Sequence, residues 1–397
     1  MADGVLQVLL AALSALAALP VLVLAAQVLV ARGARAPSAR AERDSADLAV
    51  LIPAHNEAAG IAATLHNLQA QLRSNDRLLV IADNCSDDTA DVARRAGADV
   101  IERSHATQRG KGYALDFGVR HLAARPPAVV LIVDADCLLD PGAVDTLAAA
   151  CTRSGRPVQA LYEMNAPAGA GLRARVSAFA WRVRNRVRPL GWWRLGAPCQ
   201  LMGTGMAFPW ALLRDAPLAS ANIVEDVQLG VDLALRGRPP LFVPQARVTS
   251  EFPAADDAAA AQRRRWEHGN LSLMLRHGPR LLGAAIKRAD LGLAALGADL
   301  MVPPLALLVQ VQVGLMLSGA LAFALGAGKL PLLVSMTALG LLVLSIVLAW
   351  RLAGRDVITW SELVLTAPAY ALRKLPMYLA FLWKRESTWV RAKREGE

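Results

Sequence analysis

Between residues 48 and 164, short apolar runs alternate with stretches of helical periodicity. Residues 48–53 (LAVLIP) read as a strand buried on both faces, and 59–71 as the helix after it. Residues 77–82 (RLLVIA) predict a second strand and 86–96 a second helix. A short third strand is expected at 99–102, then a helix over 112–124. Residues 128–133 (AVVLIV) give the fourth strand, 141–152 another helix and 158–164 another strand. Such alternation predicts an α/β fold with a mainly parallel, doubly wound sheet and right-handed crossovers. Ligands of such sheets gather beyond the C-terminal ends of the strands, so the residues directly after each apolar run carry the candidate chemistry. No internal repeat interrupts the pattern.

Longer apolar tracts flank this region. Residues 5–31 hold no charge, and with 301–328 and 330–350 they are long enough to cross ~30 Å of hydrocarbon as helices. The stretch 357–383 is interrupted by Glu362, Pro368, Arg373, Lys374 and Pro376, which predicts an amphipathic helix lying at the membrane surface. The first tract reads as an anchor rather than a cleaved signal, since no Lys or Arg precedes it and it outruns a signal core. Arg32, Arg35, Arg40 and Arg43 follow it, which sets its C-terminal side in the cytoplasm. The other two spans form a hairpin with its tip near Lys329, returning at Arg351 and Arg355; the basic tail (Lys384, Arg385, Arg391, Lys393, Arg394) agrees. The expected organisation is an anchor and basic linker (1–45), a cytoplasmic α/β domain (46–285), and interface helices, hairpin, amphipathic helix and tail (286–397). The expected location is the inner membrane, multi-pass.

Composition supports this division. The chain has 397 residues, 55% of them hydrophobic, and a mean hydropathy of +0.35, too apolar for an ordinary soluble enzyme. Its formal charge of +10 gathers beside the membrane tracts. No nucleic-acid module accompanies it, so nucleic acid is excluded as a partner. Cys85, Cys137, Cys151 and Cys199 lack paired metal-ligand spacing and are expected to be reduced thiols.

The chemistry begins at Asp134-Ala135-Asp136, which closes the fourth apolar run. Two carboxylates held together repel, and a divalent cation relieves that repulsion and can clamp a diphosphate. Asp136 is the expected metal ligand, with Asp134 turned toward a nucleoside. Pro53-Ala54-His55-Asn56-Glu57 ends the first strand and Asp83-Asn84-Cys85-Ser86-Asp87-Asp88-Thr89 the second. Both can read a base and a ribose; each also fits turn chemistry, with Ser86 or Asp87 as a helix cap. Lys111, between Gly110 and Gly112 at a helix start, suits a phosphate or a solvated turn. Glu225-Asp226 opens a helical run at 227–235 and offers a cap or a base. On a helix Gln262, Arg265 and Trp266 share one face, which suits a diphosphate and a sugar or, alternatively, lipid headgroups.

The ordered series PAHNEA, DNCSDDT, RGKGYAL, DAD, GTGMAF, VED and QRRRW, spanning about residues 48–270, resembles the membrane-bound family 2 glycosyltransferases of GT-A fold. The resemblance implies transfer of a sugar from a nucleotide diphosphate donor, UDP-linked, to a hydroxyl with inversion, using Mg²⁺ or Mn²⁺. By position, Glu57 and Asp83 would hold the uridine, Pro53 would shape their loop, and Lys111 would lie near the diphosphate. Asp134 would touch the nucleoside and Asp136 would bind the metal. Gly203, Thr204 and Gly205 would border the sugar and acceptor pocket together with Glu225. Asp226 would be the general base, and Gln262, Arg265 and Trp266 would close over diphosphate and acceptor. Val224 stands where the family often has Thr or Ser and leaves the acidic pair intact.

Five arginines and three tryptophans crowd residues 181–194. This segment is expected at the inner leaflet, guiding a lipid or lipid diphosphate inward or merely steadying membrane contact. Two enzyme readings follow from the resemblance: transfer of one sugar to a lipid-borne acceptor, as in ceramide glucosyltransferase-like enzymes, or processive synthesis like that of cellulose, hyaluronan and poly-N-acetylglucosamine synthases. Three spans favour the first, since a polymer channel would need an oligomer or helper subunit. Glycolipid or exopolysaccharide assembly in the cell envelope is the expected setting. An inactive nucleotide-sugar-binding scaffold is the non-enzymatic alternative, and it should have lost Asp136, Asp226 or Arg265, all of which are present.

Overall fold

The computed structural model describes residues 2–33, 43, 46–220, 224–252 and 256–383. The chain opens with α1 (Ala2–Ala31) and enters the sheet domain at β1 (Leu48–Ala54), α2 (Ile61–Gln69), β2 (Arg77–Asp83) and α3 (Thr89–Arg95). There follow β3 (Asp99–Arg103), α4 (Lys111–Leu122), β4 (Val129–Ile132), β5 (Leu138–Leu139), α5 (Ala143–Ser154) and β6 (Val158–Asn165). Next come α6 (Leu172–Arg182), a π-helical turn (Val183–Val187), α7 (Arg188–Arg194), β7 (Met206–Pro209), α8 (Trp210–Arg214), α9 (Glu225–Leu235) and β8 (Leu241–Glu251). The last part is helical: α10 (Asp256–Arg288), α11 (Leu291–Leu300), α12 (Leu305–Ala324), α13 (Leu330–Ala353) and α14 (Trp360–Trp383).

The strands form one sheet in the order β3-β2-β1-β4-β7-β6-β8-β5. Its first four strands are parallel, as the alternation predicts, with Val50 beside Leu78 and Leu51 beside Ile132. Leu48, Val50 and Ile52 point to one face and pack with Ile61 and Leu65 of α2. Ala49 and Leu51 point to the other and pack with Leu115 and Val119 of α4. Burial on both faces is why these strands read as unbroken apolar runs.

Beyond β4 the sheet is mixed. β7 pairs antiparallel with both β4 and β6, and β6 pairs parallel with β8. The strand expected at 158–164 therefore forms, but β7 separates it from the parallel set. β7 is only four residues long and ends in Pro209, so it leaves no periodic signal. It satisfies the free edge of β4, whose Ile132 carbonyl accepts the Gly205 N–H at 2.9 Å.

Three helices, at Gln7–Ala31, Leu305–Ala324 and Leu330–Ala353, are long and apolar enough to cross a membrane. The second begins after Pro303 and Pro304, a few residues later than the sequence tract. α14 is amphipathic: Leu363, Ala371, Tyr378 and Phe381 are buried, while Leu365, Leu372, Leu382 and Trp383 are exposed.

The arginine-rich segment corrects an expectation. It does not lie open on a leaflet surface but is wedged between sheet and helical bundle, with Val183, Asn185 and Val187 buried. Arg182 pairs with Asp356 at 2.6 Å, Arg186 with Glu163 at 3.0 Å and Arg188 with Asp299 at 2.8 Å. Asp299 also accepts Gln27 Nε2 of α1 and Gln200 Nε2, both at 2.6 Å. Buried carboxylates such as Glu163 and Asp299 require these cations, and through Gln27 the Asp299 cluster ties α1 to this segment.

Candidate active site

The site starts where β1 and β2 end. Asn56 and Asn84 adopt φ of 55° and 53°, the left-handed conformation that asparagine tolerates, and each turns the chain out of the sheet. The two loops are laced together. The Ser86 N–H donates to Asn56 Oδ1 at 2.7 Å, the Glu57 N–H to Thr89 Oγ1 at 2.7 Å and the Ala58 N–H to Asp87 Oδ2 at 3.1 Å. Asp87 also accepts the Thr89 N–H at 3.1 Å. Although partial burial opposes it, the Thr89 hydroxyl, which donates to Oδ1 at 2.5 Å, and these backbone bonds hold the Asp87 carboxyl below its ordinary pKa. Asp87 and Thr89 are thus explained by loop and helix-start chemistry, which leaves Glu57 and Asp83 to face the cleft.

That cleft has a volume of about 660 Å³ and is lined by Pro53, Glu57, Asp83, Lys111, Asp134, Asp136, Arg265 and Trp266. Asp83 is nearly buried and accepts Arg103 Nη1 at 2.6 Å and Asn84 Nδ2 at 2.9 Å. Arg103 also lies 5.6 Å from the ring centre of Tyr113. The sequence offered no sign of Arg103, because only the register of β2 with β3 sets it opposite Asp83.

Lys111, the first residue of α4, sits at the centre. Its Nζ donates to Asp134 Oδ1 and, at 2.8 Å, to the Gly203 carbonyl. Asp134 is thus braced by a cation while its side chain stays partly exposed at the cleft. Burial alone would lower the Lys111 ammonium, yet Asp134, Glu225 and Asp226 outweigh it and hold the pKa above its usual value. Gly203 has φ of +92°, and a Cβ there would stand 3.5 Å from Asp226 Oδ2 and 3.8 Å from Lys111 Nζ. Base candidate and cation thus flank one backbone position that carries no side chain.

Glu225 and Asp226 open α9 behind Lys111. Burial, then the Asp226 charge, pushes Glu225 up to about 8. Burial also raises Asp226, against Lys111 and Arg184, which pull it down. With its pKa raised, Asp226 is a stronger base than a free aspartate.

Residues 46–269 match the family model described as glycosyltransferase like family 2. The chain belongs to this glycosyltransferase family. Uncharacterized glycosyltransferases of Mycobacterium bovis and Mycobacterium tuberculosis are 32% identical to it over 198 residues, covering 46% of this chain and 84% of theirs. A mannosyltransferase of Pyrobaculum calidifontis, PcManGT, solved in complex with GDP-mannose and Mn²⁺, shares the fold. It has a TM-score of 0.57 and 20% identity over 96% of this chain and 100% of that one. The glycosyltransferase accordingly has the GT-A architecture, with apolar helices added at both ends.

Within this glycosyltransferase, two of the expected pocket residues take other parts. Thr204 is 0% exposed, so it cannot border an acceptor; its Oγ1 accepts the Asp134 N–H at 3.1 Å and its carbonyl accepts Gln159 Nε2 at 2.9 Å. Gly205 is packed against β6 and β8, where a Cβ would meet Ala160 Cβ at 2.8 Å and Val248 Cγ2 at 2.6 Å. Of the three, only Gly203 adjoins Lys111 and Asp226. The Gln262 side chain lies outside the described residues, as do Ala221 and Asn222. Trp266 packs 5.2 Å from Trp181, which in turn meets Phe252 edge-on at 6.0 Å, an aromatic group assembled from three separate segments.

Asp136 is exposed at the cleft, where Cys137 Sγ makes a long contact to its Oδ1 at 3.6 Å. Among the described residues no group of three His, Cys, Asp or Glu gathers to cage a metal. One exposed carboxylate beside a cleft of this size fits Mg²⁺ or Mn²⁺, which take one or two carboxylates and complete their shells with water and substrate phosphates.

Proposed function

We propose that the protein is an inverting, metal-dependent glycosyltransferase that moves one sugar from a UDP-sugar to a lipid acceptor at the inner face of a membrane. The observation that carries this reading is the convergence of Lys111, Gly203 and Asp226 beneath a cleft lined by Glu57, Asp83, Asp134 and Asp136. Span-length helices at both ends and the exposed apolar face of α14 support a lipid acceptor. The domain from 46 to 285 would then face the cytoplasm, where nucleotide sugars are made.

Glu57 and Asp83 hold the nucleoside, with Arg103 fixing the orientation of Asp83. Asp136 would hold Mg²⁺ or Mn²⁺, which when bound supplies a Lewis acid for the diphosphate oxygens. Lys111 neutralises charge on the leaving diphosphate, and Arg265 adds to this from α10. The acceptor oxygen enters past Gly203, loses its proton to Asp226 and bonds to C1 of the sugar. The bond from C1 to the diphosphate oxygen breaks on the opposite side, and the nucleoside diphosphate leaves with the electron pair. Trp266 offers a flat face to a sugar ring.

The test uses purified full-length protein in lipid nanodiscs with labelled UDP-sugars offered singly, Mn²⁺ or Mg²⁺ present, and a membrane lipid extract. A single-sugar glycolipid is expected, lost on chelation. Asp226→Asn should cut transfer by at least about a hundredfold while nucleotide binding persists. A ladder of polymer would replace single transfer with processive synthesis, and full turnover by Asp226→Asn would remove the base assignment.

A further inference from the structure

A second cavity, of about 880 Å³, lies between the sheet domain and the helical bundle. Its walls are mainly apolar, with Phe179 from α6, Val309 from α12, Leu342 from α13 and Leu363 from α14. Trp266 and Phe252 line both this cavity and the donor cleft, so the two spaces meet across one aromatic partition. A volume of this size is ordinary for a pocket that encloses an apolar ligand.

Its polar lining is not balanced in charge. Glu267 is neutralised by Lys374 and Arg188 by Asp299. Among the described residues Arg184 and Arg263, which also line the cavity, form no ion pair. In its segment Arg182, Arg186 and Arg188 each meet a carboxylate, whereas Arg184 does not, and Arg194, outside the cavity lining, donates to the Val30 carbonyl at 3.2 Å. The Arg184 guanidinium donates instead to Asn270 Oδ1 at 2.8 Å, and Asn270 Nδ2 donates to the Trp266 carbonyl at 2.7 Å. The Asn270 amide is the partner this cation meets directly, with Asp226, Asp299 and Glu267 acting on it from farther away, and guanidinium matches phosphate in a bidentate fork. The same guanidinium is close enough for its charge to act on Asp226.

These two facts narrow the acceptor. A cation beside the cavity calls for a phosphate, whereas a carboxylate base calls for a neutral hydroxyl, because an ionised phosphate nucleophile would need no base and would be repelled by Asp226. We infer that the cavity is the acceptor site and that it takes a lipid whose hydroxyl-bearing headgroup is joined through a phosphate. Arg184 and Arg263 hold the phosphate, the hydrocarbon lies among α12, α13 and α14, and the hydroxyl passes Trp266 toward Asp226. The inference rests on the glycosyltransferase reading above and names its acceptor class.

The test offers four lipids in nanodiscs to wild-type protein with labelled donor: phosphatidylglycerol, a polyprenyl diphosphate sugar, dioleoylglycerol and polyprenyl monophosphate. Transfer to the first or the second is expected, and which one accepts tells a phospholipid from a carrier lipid. Arg184→Gln should raise KM for that lipid at least tenfold with KM for the donor unchanged. Ala367→Phe, which fills the cavity from a half-buried position on α14, should do the same, and nucleotide binding by each variant verifies its fold. A diazirine-bearing analogue of whichever of the two accepts should label peptides of α12 and α14 in wild type and lose that labelling in Ala367→Phe. Equal use of dioleoylglycerol or the monophosphate, an unmoved lipid KM in both variants, or labelling elsewhere overturns this inference alone. Transfer to water-soluble acceptors and to no lipid overturns the proposed function with it.

Discussion

Replacing Lys111 with methionine keeps the length of the side chain and removes its charge from the centre of the site. Lys111 Nζ and Asp226 Oδ2 lie 3.8 and 3.5 Å from the point where a Gly203 Cβ would stand. They are therefore no more than about 7 Å apart, and unit charges at that distance interact by about 2 kcal/mol at an effective dielectric of about 20. About 1.4 kcal/mol is a factor of ten, so the ionised fraction of Asp226 on the acidic limb should fall about thirtyfold. The sign is fixed: a lost cation makes a carboxylate harder to ionise, so the limb of kcat/KM moves to higher pH. Loss of the Lys111 contact with the departing diphosphate should lower the plateau as well, by at least about tenfold. The assay is transfer from labelled donor across the acidic range, with nucleotide binding as a check on folding. A plateau within about threefold of wild type and an unmoved acidic limb would refute both the base assignment and the role of Lys111.

Two further outcomes follow from the packing and the acidic pair. Gly205→Ala forces a side chain into φ of +65° and against Ala160 and Val248, costing about 1–2 kcal/mol for the backbone and about 1–3 kcal/mol for overpacking; a clear drop in thermal midpoint is expected, and an unchanged midpoint would contradict the close approach of β7. Glu225 is raised from 4.5 to about 8 by burial and Asp226, so the stability tied to its neutral form is fully present below 4.5 and lost as pH rises through about 8. Glu225→Gln should gain stability over wild type across that window, and a difference flat with pH would show that Glu225 is not held neutral.

Strands buried on both faces write themselves as contiguous apolar runs, and β1, β2 and β4 were legible for that reason. Span-length helices were legible because a membrane selects for an uninterrupted apolar length. The polar clusters that follow those strands were legible too, since strand ends dictate where ligand chemistry can stand, and Glu57, Asp83, Lys111, Asp134 and Asp136 do line one cleft. What was not legible depends on partners far along the chain. β7 is too short to carry a period, yet it decides where the sheet turns from parallel to mixed. The family resemblance set Thr204 at the pocket, but packing buries it and gives it the Asp134 amide to hold. Arginines that looked alike in sequence became different residues once Glu163, Asp299 and Asp356 reached three of them and left Arg184 to Asn270. Periodicity and length are properties of neighbouring residues and survive in the sequence; the pairing of charges is settled only when folding brings distant segments within a few ångströms.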